Sequence, residues 1–423
     1  MNTNAYRLIF NRARGMLMAV AETAATHARA PGGTAATGHP PALGCADFTR
    51  ALAKLRPTAF AALIACGAQL ALAPLATAQI VAYKPAPASQ RPTVLSAGNG
   101  VPLVNIQTPS AAGVSRNTYS QFDVDAQGAI LNNSRNNVQT QLGGWVQGNP
   151  WLARGTARVI LNEVVSANPS QLLGYVEIAG SKAEVVIANP AGVTCNGCGF
   201  INASRATLTT GTPIMNGGAL EGYRVEGGTL RIEGAGMDAS RVAYSDLIAR
   251  AVEVNAGIWA QNLAVTAGTN TVNAANTQAT PIAPAPGSGA APAFAIDVAS
   301  LGGMYAGKIV LVGTEAGVGV RNAGHLGASA GEVRVTVDGR LENTGSVIAA
   351  GNIDAAARTG IANAGSLYAG GNLALTTAGD IESRGADTLI AAGGNATLAA
   401  TGAASRIVAM RNRSSPPALP PKA

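Results

Sequence analysis

Two cysteines spaced C-x-x-C, Cys195 and Cys198, stand in the stretch 185–211, which reads VVIANPAGVTCNGCGFINASRATLTTG. Thiols at this spacing serve as half of a zinc site, as a redox pair, or as a disulfide. Structural zinc takes four Cys or His ligands, and beyond residue 78 the chain adds only His325 to these two. A redox C-x-x-C opens a helix beside a βαβ pattern, whereas this one lies among Asn, Gly and Thr between β-branched runs. A disulfide closing one tight β-turn is what these surroundings leave.

The other candidate groups are sparse. His325 stands alone in AGHLG and reads as a solvated turn residue. Asp123 and Asp125 in FDVD alternate along a strand and so share one face, but no base or further ligand lies near them, and a solvated strand face is the reading. There is no G-x-S-x-G elbow and no phosphate loop with its lysine. No catalytic residue, cofactor or metal is expected. The net charge of +7 is concentrated in residues 1–78, with seven Lys/Arg against two Asp/Glu, leaving 22 against 20 beyond. No basic cluster with interleaved aromatics follows, so nucleic acid is not expected as a partner.

The elements that must hold these residues are read from composition and period. With 52 Gly, 47% hydrophobic, 4% aromatic and 12% charged residues, the chain lacks the charged shell, about 25%, of an ordinary domain. Runs such as RVILNEVV, GYVEIAG and AEVVIANP are short, rich in Val and Ile, and bounded by turn residues, which predicts strands almost throughout.

Towards the C-terminus a repeat emerges. VRNAG at Val320, LENTG at Leu341, IANAG at Ile361 and IESRG at Ile381 recur at spacings of 21, 20 and 20. Coils of this length without helical periodicity predict a parallel β-helix, its coils stacked about 4.8 Å apart. Asn322, Asn343 and Asn363 take equivalent places and predict an internal amide ladder that Ser383 breaks. The uncharged Pro/Ala/Gly-rich run 269–293 predicts a surface loop or disordered linker between two pieces of the solenoid.

The N-terminus reads as an export signal. Arg50, Lys54 and Arg56 precede an apolar run from Ala59 to Leu75 and then ATAQ, which predicts cleavage between Ala78 and Gln79. A membrane anchor is the rival reading, disfavoured by the A-x-A ending. Removal would take Cys45 and Cys66 with it, leaving Cys195 and Cys198 in a compartment where a disulfide persists.

The ordered set SRNTYSQFDVDAQGAILNNS from Ser115, NPWL from Asn149, ARVILNEVVSANPSQLLGYVEIAGSKAEVVIANPAG from Ala157 and GFINASRATLTTGTP from Gly199 resembles the secretion domain of two-partner secretion exoproteins. That group holds filamentous haemagglutinin and the contact-dependent growth inhibition toxins. The leading block MNTNAYRLIFNRARGMLMAVAE resembles the extended signal of the same proteins, which in that family modulates inner-membrane export. The resemblance implies a right-handed parallel β-helix with an N-terminal cap and small extra-helical sheets. It also implies a partner outer-membrane β-barrel transporter that reads the domain through periplasmic transport-associated domains.

The family's NPNL and NPNG secretion motifs correspond here to Asn149-Pro150-Trp151-Leu152 and Asn189-Pro190-Ala191-Gly192, each departing at the third position. They mark transporter contact or turn structure, since Asn-Pro starts turns in any case.

The expected organisation is a signal over 1–78, a secretion domain over 79–268, the linker over 269–293, repeats over 294–410, and a basic Pro-rich tail over 411–423 that reads as a truncation or shifted frame. The expected function is that of a secreted, non-enzymatic adhesin acting on a host or bacterial surface. The N-terminal fragment of a growth-inhibition toxin is the alternative. A polysaccharide-acting β-helix enzyme would need clustered carboxylates, and the repeats carry scattered ones.

Overall fold

The computed structural model describes residues 6–11, 16–21, 79–284 and 289–410. Two compact units divide the chain, residues 1–75 and 76–423. The described part of the first is an antiparallel hairpin of Tyr6–Asn11 with Met16–Ala21. The apolar signal segment, Ala78 of the expected cleavage site and the tail 411–423 lie outside the described residues.

The second unit is a parallel β-helix with three faces, built from sheets of 12, 10 and 12 strands that run its length. One late coil shows how the sequence makes it. Val333–Val337 lies on the first face, Arg340–Asn343 on the second and Ser346–Ala349 on the third, and Ile353–Ala357 then returns to the first, in register with Val333–Val337. Within Val333–Val337 the burial alternates: Val333, Val335 and Val337 point inward while Arg334 and Thr336 point out. This is the period-two pattern of a strand with one buried face. Stacked this way, the inward Val, Leu, Ile and Ala of successive coils merge into one apolar core running from Ile80 to Ile381. Each fully buried Val, Leu or Ile side chain contributes about 1.5–3 kcal/mol there.

The asparagine ladder is present. Asn322 Nδ2 donates to Asn343 Oδ1 at 2.8 Å, and Asn343 Nδ2 donates to Asn363 Oδ1 at 2.7 Å. All three are at most 2% exposed. At Ser383 the amide chain gives way to a hydroxyl, 3.5 Å from Asn363 Nδ2.

At the N-terminal end, Ile80–Ala82 and Thr93–Ser96 pair antiparallel with Val114–Phe122 and Pro102–Asn105, closing the first and third faces. These strands are the cap: antiparallel pairing ends a stack that would otherwise expose unpaired strand edges. Two small sheets stand off the helix, the hairpin Val138–Thr140 with Gly144–Val146 and a four-stranded antiparallel sheet.

That four-stranded sheet corrects the expected linker. Asn270–Asn273 and Ala279–Pro281, both inside 269–293, are strands: the first pairs with Ala219–Val225 and the second with the first. The solenoid runs on unbroken across the insertion, because Asn262–Ala267 pairs directly with Lys308–Gly313. The run is therefore an excursion off one coil and not a joint between two pieces. Its β-forming residues Thr271 and Val272 find a partner that is distant in sequence, which composition alone does not show.

Candidate functional site

Asn149 sits where the chain passes from the third face back to the first. It caps the short 3₁₀ turn Pro150–Leu152, its Oδ1 accepting from the Trp151 backbone N–H at 3.0 Å. Its Nδ2 donates to the carbonyls of Ile106 and Asn132, both at 2.9 Å. Asn189 does the same at the corner between first and second faces: Oδ1 accepts from the Ala191 N–H at 3.0 Å, and Nδ2 donates to the Asn168 carbonyl and the Ser170 hydroxyl at 2.9 and 3.0 Å. Both asparagines are buried, at 3% and 0% exposure. Each side chain thus spends one acceptor on its own turn and both amide hydrogens on neighbouring backbone or hydroxyl groups, three of the four hydrogen bonds open to an amide.

The other motif positions divide by exposure. Leu152 is buried, while Pro150 and Pro190 are exposed and Ala191 is half-buried. Gly192 is buried at φ +125°, where a Cβ would stand 3.1 Å from the Thr229 carbonyl oxygen, so the closing position excludes other residues on backbone grounds. Trp151 is 44% exposed and its indole N–H donates to Thr93 Oγ1 at 3.2 Å. It borders an open cleft of about 860 Å³ against the cap, lined also by Lys84, Arg91 and Gln107. The cleft joins residues far apart in sequence, and only the exposed Trp in the motif hinted at it.

Cys195 and Cys198 form a disulfide, with Cα atoms 5.3 Å apart. Cys195 ends Val193–Cys195 on the second face and Cys198 begins Cys198–Ile201 on the third. The staple therefore closes the tight turn at a coil corner, with Gly197 between the cysteines at φ +85°. Both cysteines belong to the core and are shielded from solvent. Replacing the pair with Ala is expected to cost about 2 kcal/mol, since so short a loop restricts the unfolded chain little. Urea denaturation of the variant against the parent checks it.

The remaining candidates are engaged locally. Asp123 Oδ1 accepts from the Gln171 N–H at 2.8 Å and its other oxygen from the Gln121 side chain, while Asp125 Oδ1 caps its own turn at Gln127 N–H, 2.9 Å. His325 begins the strand His325–Ala328, exposed, with Nδ1 2.7 Å from Ser346 Oγ. It thus stands on a strand and not on the expected turn. Among the described residues no group of three or more His, Cys, Asp or Glu is placed to hold a metal.

Sequence reading passed over the buried asparagines of the first coils. Asn132 Nδ2 donates to Asn105 Oδ1 at 2.8 Å, and Asn133 bonds the backbone of Ala157 in both directions. Their signal was polar residues inside the apolar runs AILNNS and VILNEV, which points to internal hydrogen bonding.

Residues 78–343 match the TPS secretion domain, and residues 1–49 match the extended signal peptide of the type V secretion system. Toxin CdiA of Yersinia pestis is 54% identical over 363 residues, which cover 86% of this chain and 11% of that protein. The tRNA nuclease CdiA-2 of Burkholderia pseudomallei is 47% identical over 354 residues, covering 83% of this chain and 11% of that protein. The chain spans about a tenth of the length of these curated relatives. The crystal structure of a filamentous hemagglutinin secretion domain is similar at 33% identity with a TM-score of 0.59, over 78% of this chain and 99% of that one. With this fold, these motifs and this signal, the chain belongs to the TPS secretion domain family, the two-partner secretion exoproteins exported across the outer membrane to the cell surface or medium.

Proposed function

We propose that residues 79–268 are the secretion domain read by a partner outer-membrane transporter through its periplasmic transport-associated domains. Export across the inner membrane by the general machinery comes first, with removal of 1–78 between Ala78 and Gln79. Residues 294–410 then begin a β-helical shaft that presents an adhesin to a host or bacterial surface. The match over 78–343 on a β-helix like that of a filamentous hemagglutinin secretion domain carries this reading. It supports a non-enzymatic role for the region.

Within the motifs the division of labour follows burial. Asn149 and Asn189 build corners from inside the fold, where a folded domain offers them to no partner. Trp151 and the cleft beside it are the surface a transporter meets first. Trp151→Ala is expected to leave the melting temperature within about a degree, as an exposed side chain does, and to lower the amount of protein in the medium severalfold. Unchanged secretion removes the cleft from recognition.

Co-expression of the full chain with the transporter encoded beside it, followed by assay of the medium, tests the reading as a whole. Protein retained in the periplasm overturns it. The second reading, the N-terminal part of a contact-dependent growth inhibition toxin, is favoured by the names of the relatives, a toxin and a tRNA nuclease. An immunity gene next to the transporter gene favours the toxin, and a transporter alone favours the adhesin.

A further inference from the structure

The third face carries an outward file of residues that the export reading does not use. Trp259, Tyr305, Gly327, Ile348 and Tyr368 occupy the same register position on five successive strands, from Gly257–Ala260 to Ser366–Ala369. The four with side chains are all 41% to 49% exposed. Trp259 and Tyr305 lie with ring centroids 6.3 Å apart and planes within 18°. Each ring leans over the glycine two residues before it, Gly257 or Gly303, where any Cβ would collide with the ring. The glycines thus let the aromatics spread along the strand. At Gly327 the file is interrupted by a hollow of about 450 Å³ that Tyr305 and Ile348 border and Ser240 and Ser329 edge with hydroxyl groups.

We infer that this file is a binding track for an extended, uncharged polysaccharide chain, whose sugar rings stack on Trp259 and Tyr305 and continue through the Gly327 hollow towards Tyr368. Three properties select this occupant. None of these five residues is charged, and the next register position beyond Trp259 is the carboxylate Asp238, which together disfavour an anionic polymer. Aromatic faces carry negative charge density, and the C–H face of a pyranose ring is the complementary surface, while its equatorial hydroxyls reach sideways to groups such as Ser240 and Ser329.

The third property is size. Strands 4.8 Å apart give a track of about 19 Å from Trp259 to Tyr368, on the order of 200 Å² at one or two side chains' width. A stable protein partner covers about 800 Å² on each side. The area suits a linear chain of a few sugars and falls well short of a protein interface.

The track is tested on the purified full chain by calorimetric titration with two probes, the β-1,4-linked hexasaccharides of glucose and of N-acetylglucosamine. Saturable binding of at least one is expected. Tyr305→Ala should weaken it roughly tenfold through loss of one stacking ring. Gly327→Gln should do the same by filling the hollow. Gly327 has an ordinary φ and room for a Cβ, the nearest atom being Tyr305 Cδ1 at 3.5 Å, so this variant keeps the fold and separates lost binding from lost structure. Absence of binding by the parent at about 10 mM of either sugar, or equal binding by Gly327→Gln, overturns the inference. So does self-association of the chain that depends on Tyr305 in place of sugar binding, which would make the file a protein contact. Export is read from the medium and binding from the purified chain, so either can fail without the other.

Discussion

Asn149→Ala is expected to destabilise the N-terminal coils by about 3 kcal/mol or more, and Asn149→Asp by at least as much. The alanine leaves the buried carbonyls of Ile106 and Asn132 and the N–H of Trp151 without their partner, and each buried group left unpaired costs about 1–3 kcal/mol. The aspartate is the sharper test. If Asn149 were only a turn former, Asp would serve, because it caps such turns equally well. In this fold Asp keeps the acceptor for Trp151 but turns an oxygen towards two carbonyl oxygens, so repulsion replaces two hydrogen bonds. The same reasoning holds at Asn189, whose amide donates to the Asn168 carbonyl.

Urea denaturation of the purified variants, run beside the secretion assay, decides the point. Loss of both stability and export marks the motif as structural. Full stability with loss of export would reverse the assignment and make the asparagine itself the recognised group. Trp151→Ala is the complementary variant, because its ring is exposed and holds only one hydrogen bond to Thr93.

Breaking the amide ladder at its centre should have the next largest effect. Asn343→Ala strands the donor of Asn322 and the acceptor of Asn363 in the core, at about 3 kcal/mol for the pair. In a solenoid each coil contacts only its neighbours, so the loss should be local. Hydrogen exchange is expected to show lost protection in the strands from Gly319–Asn322 to Asp380–Arg384, with Val159–Val164 and Ala183–Ala188 unchanged. Uniform loss of protection along the whole helix would mean that the coils unfold as one unit, and unchanged protection at the repeat would show that the ladder contributes nothing net.

The sequence made different parts of this protein legible to different degrees. Late coils could be read because each lies in one uninterrupted stretch of 20 or 21 residues, so period, inward face and the positions of Asn322, Asn343 and Asn363 all recur. Early coils could not be counted, because hairpins and insertions separate their strands. Val159–Val164 pairs with Val114–Phe122 about 45 residues back, whereas Ile353–Ala357 pairs with Val333–Val337 at 20. The stretch 269–293 was read as a linker because its partner strand, Ala219–Val225, is remote and antiparallel. The cysteines are legible as a staple of one tight turn between strands, and only the fold shows that this turn is a corner between two faces, since corner and hairpin turns share the same Gly and Asn chemistry.

The sequence by itself determined the all-β class, the coil period, the export signal, the family and the amide ladder, because all of these depend on residues near one another in the chain or on recurring spacing. Only the tertiary structure decided that Asn149 and Asn189 are buried, that Trp151 borders a cleft with the cap, and that Trp259, Tyr305, Ile348 and Tyr368 form one file. The physical reason is the stacking itself. Irregular insertions change the number of residues between faces without changing the rise per coil, so residues 46 apart at Trp259 and Tyr305, and 20 apart at Ile348 and Tyr368, arrive at the same register position.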